Sequence, residues 1–189
     1  LDYSGHRLGA EVRAAGRAPG VDGKALVCRG GCAIVPGNPL LSVTDAMTLE
    51  CWVHTDVAGQ SDKWFVNRIY SGGVNTGFRM GLSGGRPSFA IPVTSFSHHL
   101  TAEAALPLGR WVHLAGTFDG KVMRLYMDGE LRGTLERPGA ARGSNLPLTL
   151  GSYDAGHRAH FTGLLDEVRL YNRCLTPEEI AAHARAFAR

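Results

Sequence analysis

A chain of 189 residues, 44% of them hydrophobic, is long enough to bury a sizeable core as one domain. Its formal charge of +3 comes from 20 basic and 17 acidic residues scattered along the chain, which argues against a nucleic-acid partner. No apolar run reaches the ~18–20 residues that span a bilayer, and the 25 glycines and 9 prolines supply the turns an all-β sandwich needs.

The first twenty residues are rich in Gly, Ala and Arg and show no period. Two short apolar runs follow, Ala25-Leu26-Val27 and Ala33-Ile34-Val35, around Cys28-Arg29-Gly30-Gly31-Cys32. As a hairpin, this stretch brings Cys28 and Cys32 close enough for a disulfide. A Cys-x3-Cys zinc half-site is the alternative, but no second pair completes it. Cys51 reads as a small buried hydrophobe, with Cys174 a conceivable partner. Strands are expected over 47–55, 64–70, 76–82 and 87–93, with Gly72-Gly73 turning between the second and third. A Ser-His loop and a short run from Leu100 come next.

From Trp111 to Leu131 two apolar runs each end in a polar turn, Asp119-Gly120 and Asp128-Gly129. Asp-Gly between alternating apolar residues is a strong hairpin signal, because glycine accepts the positive φ of a tight turn. The stretch reads as an antiparallel meander. Strands over 146–152 and 161–172 complete the set. Thr176 as N-cap, Pro177 at the first helical position and Glu179 closing a capping box then predict a helix from 177 to about 186. Many short, evenly spaced strands with one terminal helix indicate a sandwich. There is no internal repeat or low-complexity linker, so a single domain over 1–189 is expected. The chain opens on Leu1 without a leader peptide, which we read as a module of a longer or processed protein.

Several of these segments carry recognisable motifs. They are Asp2-Tyr3-Ser4-Gly5, Gly23-Lys24-Ala25-Leu26, Thr48-Leu49-Glu50-Cys51-Trp52-Val53 and the meander with its two Asp-Gly turns. The strongest are Phe161-Thr162-Gly163-Leu164-Leu165-Asp166-Glu167-Val168-Arg169-Leu170-Tyr171-Asn172 and Leu175-Thr176-Pro177-Glu178-Glu179-Ile180. Together they resemble the laminin-G-like, concanavalin A-like lectin/glucanase family, and more distantly the pentraxins. Val112 intrudes between Trp111 and His113, and Cys28-Arg29-Gly30 replaces the family's Phe-Asp-Gly turn. The resemblance implies an all-β antiparallel sandwich of the concanavalin A-like jelly-roll type with a short C-terminal helix.

That fold hosts glycosidases, lyases and non-catalytic lectins, so chemistry decides. Glycoside hydrolysis needs two carboxyl groups about the scissile bond. The sandwich glucanases carry Glu-x-Asp-x-x-Glu on one strand, and that string is absent here. Asp166 and Glu167, as strand neighbours, are expected on opposite faces, and Glu178-Glu179 belong to a helix start. His113 and Tyr126 on adjacent strands offer a lyase-like pair, although His113 fills a structural place in the motif. His98-His99 and the pair His157 and His160 read as loop polarity, with a transition-metal site as the alternative. We therefore expect no enzyme, but a carbohydrate-binding, lectin-like module of an extracytoplasmic, bacterial-type protein: secreted, periplasmic or on the cell surface. A protein-interaction or adhesion module is the alternative, and a sandwich hydrolase or lyase a further one.

The resemblance also implies a structural calcium ion, held by Asp2 and Asp166 or, in a pentraxin-like loop, by Asn75 and Asp154. The alternative for Asp166 is a carboxylate bonded to backbone amides or to an arginine. A lectin presents an aromatic platform with a few polar groups. Outside the motif residues Trp52 and Trp111, which are expected in the core, the candidates are Trp64, Tyr70, Phe96 and Tyr153. Trp64 follows the polar loop Gln60-Ser61-Asp62-Lys63, and Tyr153 sits in a polar loop with His157 beside it. Core packing or loop anchoring is the alternative for each.

Overall fold

The computed structural model describes residues 4–6, 8–69, 76–93, 97–153 and 158–187. Fourteen strands, one α-helix and a single 3-10 turn (Pro39–Leu41) are described there. The strands are β1 (Glu11–Arg13), β2 (Gly16–Pro19), β3 (Lys24–Arg29), β4 (Cys32–Val35), β5 (Met47–His54), β6 (Lys63–Asn67) and β7 (Arg79–Ser83). They continue with β8 (Arg86–Pro92), β9 (Ser97–Thr101), β10 (Trp111–Phe118), β11 (Val122–Met127), β12 (Glu130–Glu136), β13 (Leu148–Leu150) and β14 (Thr162–Tyr171), before helix α1 (Pro177–Ala186). Two seven-stranded sheets result, one ordered β1-β4-β13-β6-β7-β8-β9 and the other β12-β11-β10-β5-β14-β3-β2. Every ladder pairing is antiparallel. Among the described residues no helix is long and apolar enough to cross a membrane.

Strand alternation builds the core. Leu49, Cys51 and Val53 of β5 and Val112, Leu114 and Phe118 of β10 turn inward, where Phe65, Met80, Phe89 and Ile91 of the facing sheet join them. Gly116 falls in that inward series between Leu114 and Phe118. A Cβ there would stand 2.5 Å from the Phe89 ring, so glycine is what lets the sheets close at this point. The meander follows its turn chemistry: Asp128 and Gly129 adopt φ of 53° and 83°, the left-handed pair a two-residue hairpin requires.

Alternation also gives the second sheet an outer face, and α1 lies over it. Ile180 packs with Leu175, Ala115 and Tyr126 into a small second core. The helix starts as its sequence predicts, with Thr176 accepting from the Glu179 amide and Glu179 accepting from the Thr176 amide. The Arg173 guanidinium and the Thr176 amide together hold the Glu179 carboxyl down to about 2.

Three expectations change. Cys28 and Cys32 are free thiols, because their strands form no hairpin: β3 pairs with β2 and β14 in one sheet, and β4 with β1 and β13 in the other. Gly30-Gly31 carries the chain between sheets. Burial, with Cys32 nearby, pushes the Cys28 thiol up to about 12. The Ser-His loop proves to be β9, which pairs with β8. β14 contains a bulge between Asp166 and Arg169, with Glu167 at φ 46°, so simple alternation does not hold there.

Candidate functional site

The outer face of the second sheet carries an open groove of about 620 Å³ beside the end of α1. Its floor comes from β5 and β10. Register pairs Val112 with Val53, both inward, so their neighbours Trp111 and His54, also paired, both face out. The two rings meet edge to face at 5.6 Å. Trp52, two residues before His54, extends the floor; its ring lies 5.3 Å from His113 and 6.2 Å from Phe187, the latter edge-on. Trp111 and His54 are half-buried, which leaves part of each ring open to the groove.

The walls are polar. Arg110 enters just before β10 and Asp128 sits in the β11–β12 turn. The Asp128 carboxylate accepts from the Arg110 guanidinium at 2.7 Å and from the His113 amide at 2.9 Å. Arg185 and Phe187 at the end of α1 form the opposite wall. The helix approaches the β11–β12 turn closely: a Cβ on Gly129 would lie 3.0 Å from Ala181 Cα.

Beneath α1 a buried charged cluster anchors that wall. Glu50 is 1% exposed. Its carboxylate accepts from the Tyr171 hydroxyl at 3.1 Å, and His183 Nδ1 sits 3.0 and 3.1 Å from its two oxygens. A carboxylate only accepts, so His183 Nδ1 carries the hydrogen. His113 Nε2 lies 3.5 Å away and Arg169 Nη1 3.6 Å. Burial pushes the Glu50 carboxyl up, but the hydrogen bonds from His113 and His183 outweigh it and hold the group below its ordinary range.

The residues singled out from the sequence distribute differently. Trp64 belongs to β6, within the strand expected from 64, and takes its core-packing alternative: it is buried, the Arg79 guanidinium covers its ring at 4.0 Å, and Gly81 leaves it room. Tyr153 is also buried, with Arg158 over its ring at 5.5 Å. Both occupy the first sheet's side of the molecule, yet neither presents an open face to a sugar. Tyr70, Asn75, Phe96, Asp154, His157 and Asp2 lie outside the described residues. His113 and Tyr126 are buried and are not among the groove's lining residues.

Asp166 takes its backbone-bonded alternative. One oxygen accepts from the Val21 and Asp22 amides at 2.9 and 3.2 Å, the other from the Glu167 amide at 3.0 Å. Gly20 packs so closely that a Cβ would meet this carboxylate at 2.0 Å. Among the described residues no three His, Cys, Asp or Glu side chains are grouped to hold a metal. Of the two calcium placements expected from the sequence, Asp2 with Asp166 and Asn75 with Asp154, only Asp166 is among the described residues.

Comparison with known proteins agrees with this architecture. The laminin G pattern of the concanavalin A-like lectin/glucanases superfamily matches residues 30–181. Human Adhesion G-protein coupled receptor D1 is 30% identical over 117 residues, which is 60% of this chain and 13% of the receptor. Mouse Pappalysin-1 is 29% identical over 161 residues, 73% of this chain and 10% of that protein. The chain thus spans only a small part of the curated relatives it matches. Among solved structures, the binding domain of Paraclostridial Mosquitocidal Protein 1 superposes with a TM-score of 0.79 at 16% identity, covering 98% of this chain and 49% of that one. Domain 4 of AbnA, a GH43 extracellular arabinanase from Geobacillus stearothermophilus solved in complex with arabinotriose, gives 0.71 at 20% identity over 96% of this chain and 91% of that one. The binding domain of Botulinum neurotoxin DC in complex with rat synaptotagmin II gives 0.75 at 13% identity, covering 100% and 49%. At these identities the structural likeness is one of fold. By the pattern that runs through residues 30–181, the chain belongs to the concanavalin A-like lectin/glucanases superfamily, in its laminin G form.

Proposed function

We propose that this domain is a non-catalytic carbohydrate-binding module that takes its sugar in the groove floored by Trp111 and His54. The carrying observation is a partly open tryptophan face bordered by hydrogen-bonding groups on both walls. A pyranose offers C–H patches to such a face and hydroxyls to arginine, histidine and aspartate, and the groove's volume falls within the usual ~300–1,000 Å³ of ligand sites. Arabinotriose in Domain 4 of AbnA, which is similar over nearly its whole length, supports a glycan as the ligand class. The reading is non-catalytic because hydrolysis needs two converging carboxyl groups. Among the described lining residues Asp128 is the only one, and its oxygens are already engaged by Arg110 and the His113 amide. An extracytoplasmic setting accompanies this reading, since free polysaccharides are met there.

A glycan array probed with the wild-type domain and with Trp111→Ala tests it. We expect selective binding to one sugar class and at least a tenfold loss in Trp111→Ala, worth roughly the 1–3 kcal/mol of a stacking platform. Leu131→Ser, at a position 53% exposed and outside the groove, should bind as wild type. An array without binding, or binding indifferent to Trp111, rejects the proposal. Capture of a protein partner through another face would replace it with an adhesion role.

A further inference from the structure

We infer that the groove selects an acidic sugar, one bearing a carboxylate; this rests on the carbohydrate reading and narrows it. The argument is a charge inventory of the lining. Its described ionisable side chains are Arg110, Arg185, His54 and Asp128. Asp128 is already committed, with one oxygen on the Arg110 guanidinium and the other on the His113 amide, so it repels an incoming anion weakly. Asp56 stands beyond Gly109, outside the lining. The cations are not committed to the same degree. A guanidinium carries five N–H donors. Arg110 uses one terminal nitrogen on Asp128 and the other on the Trp111 carbonyl at 3.0 Å, which leaves three donors free. Arg185 makes no ion pair or side-chain hydrogen bond among the described residues and is exposed at the helix end. It therefore offers a complete planar fork to the groove.

That inventory favours an anion, and its geometry favours a carboxylate. Two parallel N–H···O bonds match a planar fork to a planar carboxylate, an arrangement lysine does not reproduce. A sugar ring over Trp111 is held against the floor, while a carboxylate on C5 of that ring projects sideways, towards a wall. A uronic acid unites the two features in one residue: the C–H face for the aromatic floor and the anion for Arg185. A free phosphate or a simple dicarboxylate would use the guanidinium but leave the tryptophan without a partner.

The experiment prints galacturonate, glucuronate, mannuronate and guluronate oligomers beside their methyl esters. The esters keep each ring and remove its charge. Wild type, Arg185→Gln and Trp111→Ala are compared at low and high salt, with sulfated oligosaccharides as a further arm. We expect one acid to bind at least tenfold more tightly than its ester. Arg185→Gln should erase most of that gap by weakening the acid far more than the ester, at an unchanged melting temperature, and added salt should narrow it. Equal binding of acid and ester, both abolished by Trp111→Ala, overturns the inference and leaves the carbohydrate reading standing. Binding of sulfated sugars alone overturns the carboxylate assignment. Binding to no sugar at all overturns both.

Discussion

Glu50 offers the sharpest test of how this domain holds its helix. The residue is 1% exposed on the outer face of β5 and is contacted from three other elements: His113 from β10, Arg169 and Tyr171 from β14, and His183 from α1. Truncation by Glu50→Ala leaves the Tyr171 hydroxyl and the His183 N–H without their acceptor, while Arg169 keeps its ion pair with Glu167. Removing one partner from a buried charged pair costs about 3–5 kcal/mol. For 150–250 residues each kcal/mol shifts the melting temperature by about 2–4 °C, so the variant should melt roughly 6–20 °C lower. Thermal unfolding followed across pH then tests the electrostatics. His113 and His183 hold the folded carboxyl below its ordinary range against the cost of burial, so the unfolded chain binds the proton more readily. The contribution is complete above the unfolded pKa of ~4.3 and is lost as pH falls through the lower folded value. Glu50→Gln keeps the shape and one acceptor but has nothing to titrate, so its acid limb should be shallower than wild type. A Glu50→Ala variant that melts within about 2 °C of wild type, or a Glu50→Gln variant with an unchanged acid limb, refutes the assignment of Glu50 as the anchor.

Other consequences are local. Gly116→Ala places a methyl 2.5 Å from the Phe89 ring between two packed sheets; overpacking of this kind costs about 1–3 kcal/mol, and Phe89→Leu in the same chain should recover part of it. An equal loss with and without the Phe89 change would show that the strain lies elsewhere. Chelation by EDTA tests the expected calcium ion: if Asp166 serves only the Val21, Asp22 and Glu167 amides and no ion is held elsewhere, the melting temperature stays unchanged. A drop reversed by calcium alone would instead show a bound ion. Alkylation of the folded domain near pH 8, read by mass spectrometry, should modify Cys174 and spare Cys28, Cys32 and Cys51, which are buried, with the Cys28 thiol held up to about 12. Labelling of Cys28 at the rate of Cys174 contradicts that burial.

What was legible in the sequence was local. The β10–β11–β12 meander can be read because Asp-Gly supplies the positive φ the turn needs, and α1 because Thr176 and Glu179 satisfy each other's amides. The β3–β4 hairpin misled because a Gly-Gly turn serves equally for a return within one sheet or a step across to the other. The choice lies with β14 and β13, more than a hundred residues away. β1 escaped notice for a different reason: all three of its residues are exposed on an edge strand, so no alternation marks it. At the site the signal was present but differently weighted. Trp111 was assigned to the core as a residue of the family's motif. Yet Val112 and Leu114, two apart and both inward, require Trp111 and His113 to face the other way. The polar loop before Trp64 made it a candidate sugar platform, and only the pairing of β6 with β7 brings Arg79 over its ring.

The groove therefore has a floor and a wall of unequal rigidity. Trp52, His54 and Trp111 stand on two eight-residue strands paired along their whole length, whereas Arg185 and Phe187 ride on one ten-residue helix. That helix rests on Ile180, on the close approach at Gly129 and on the Glu50 cluster. The cluster reaches the groove directly, since His113 lies against both Glu50 and the ring of Trp52, and Trp52 meets Phe187. Perturbations should separate accordingly. Substituting Trp111 removes floor from an intact scaffold, so affinity falls while melting changes little. Substituting Glu50 loosens the wall, so melting and affinity fall together without the loss of any groove-lining side chain. A Glu50 variant that melts early yet keeps full affinity would show that the floor alone makes the site, and that Arg185 contributes nothing from its place on α1.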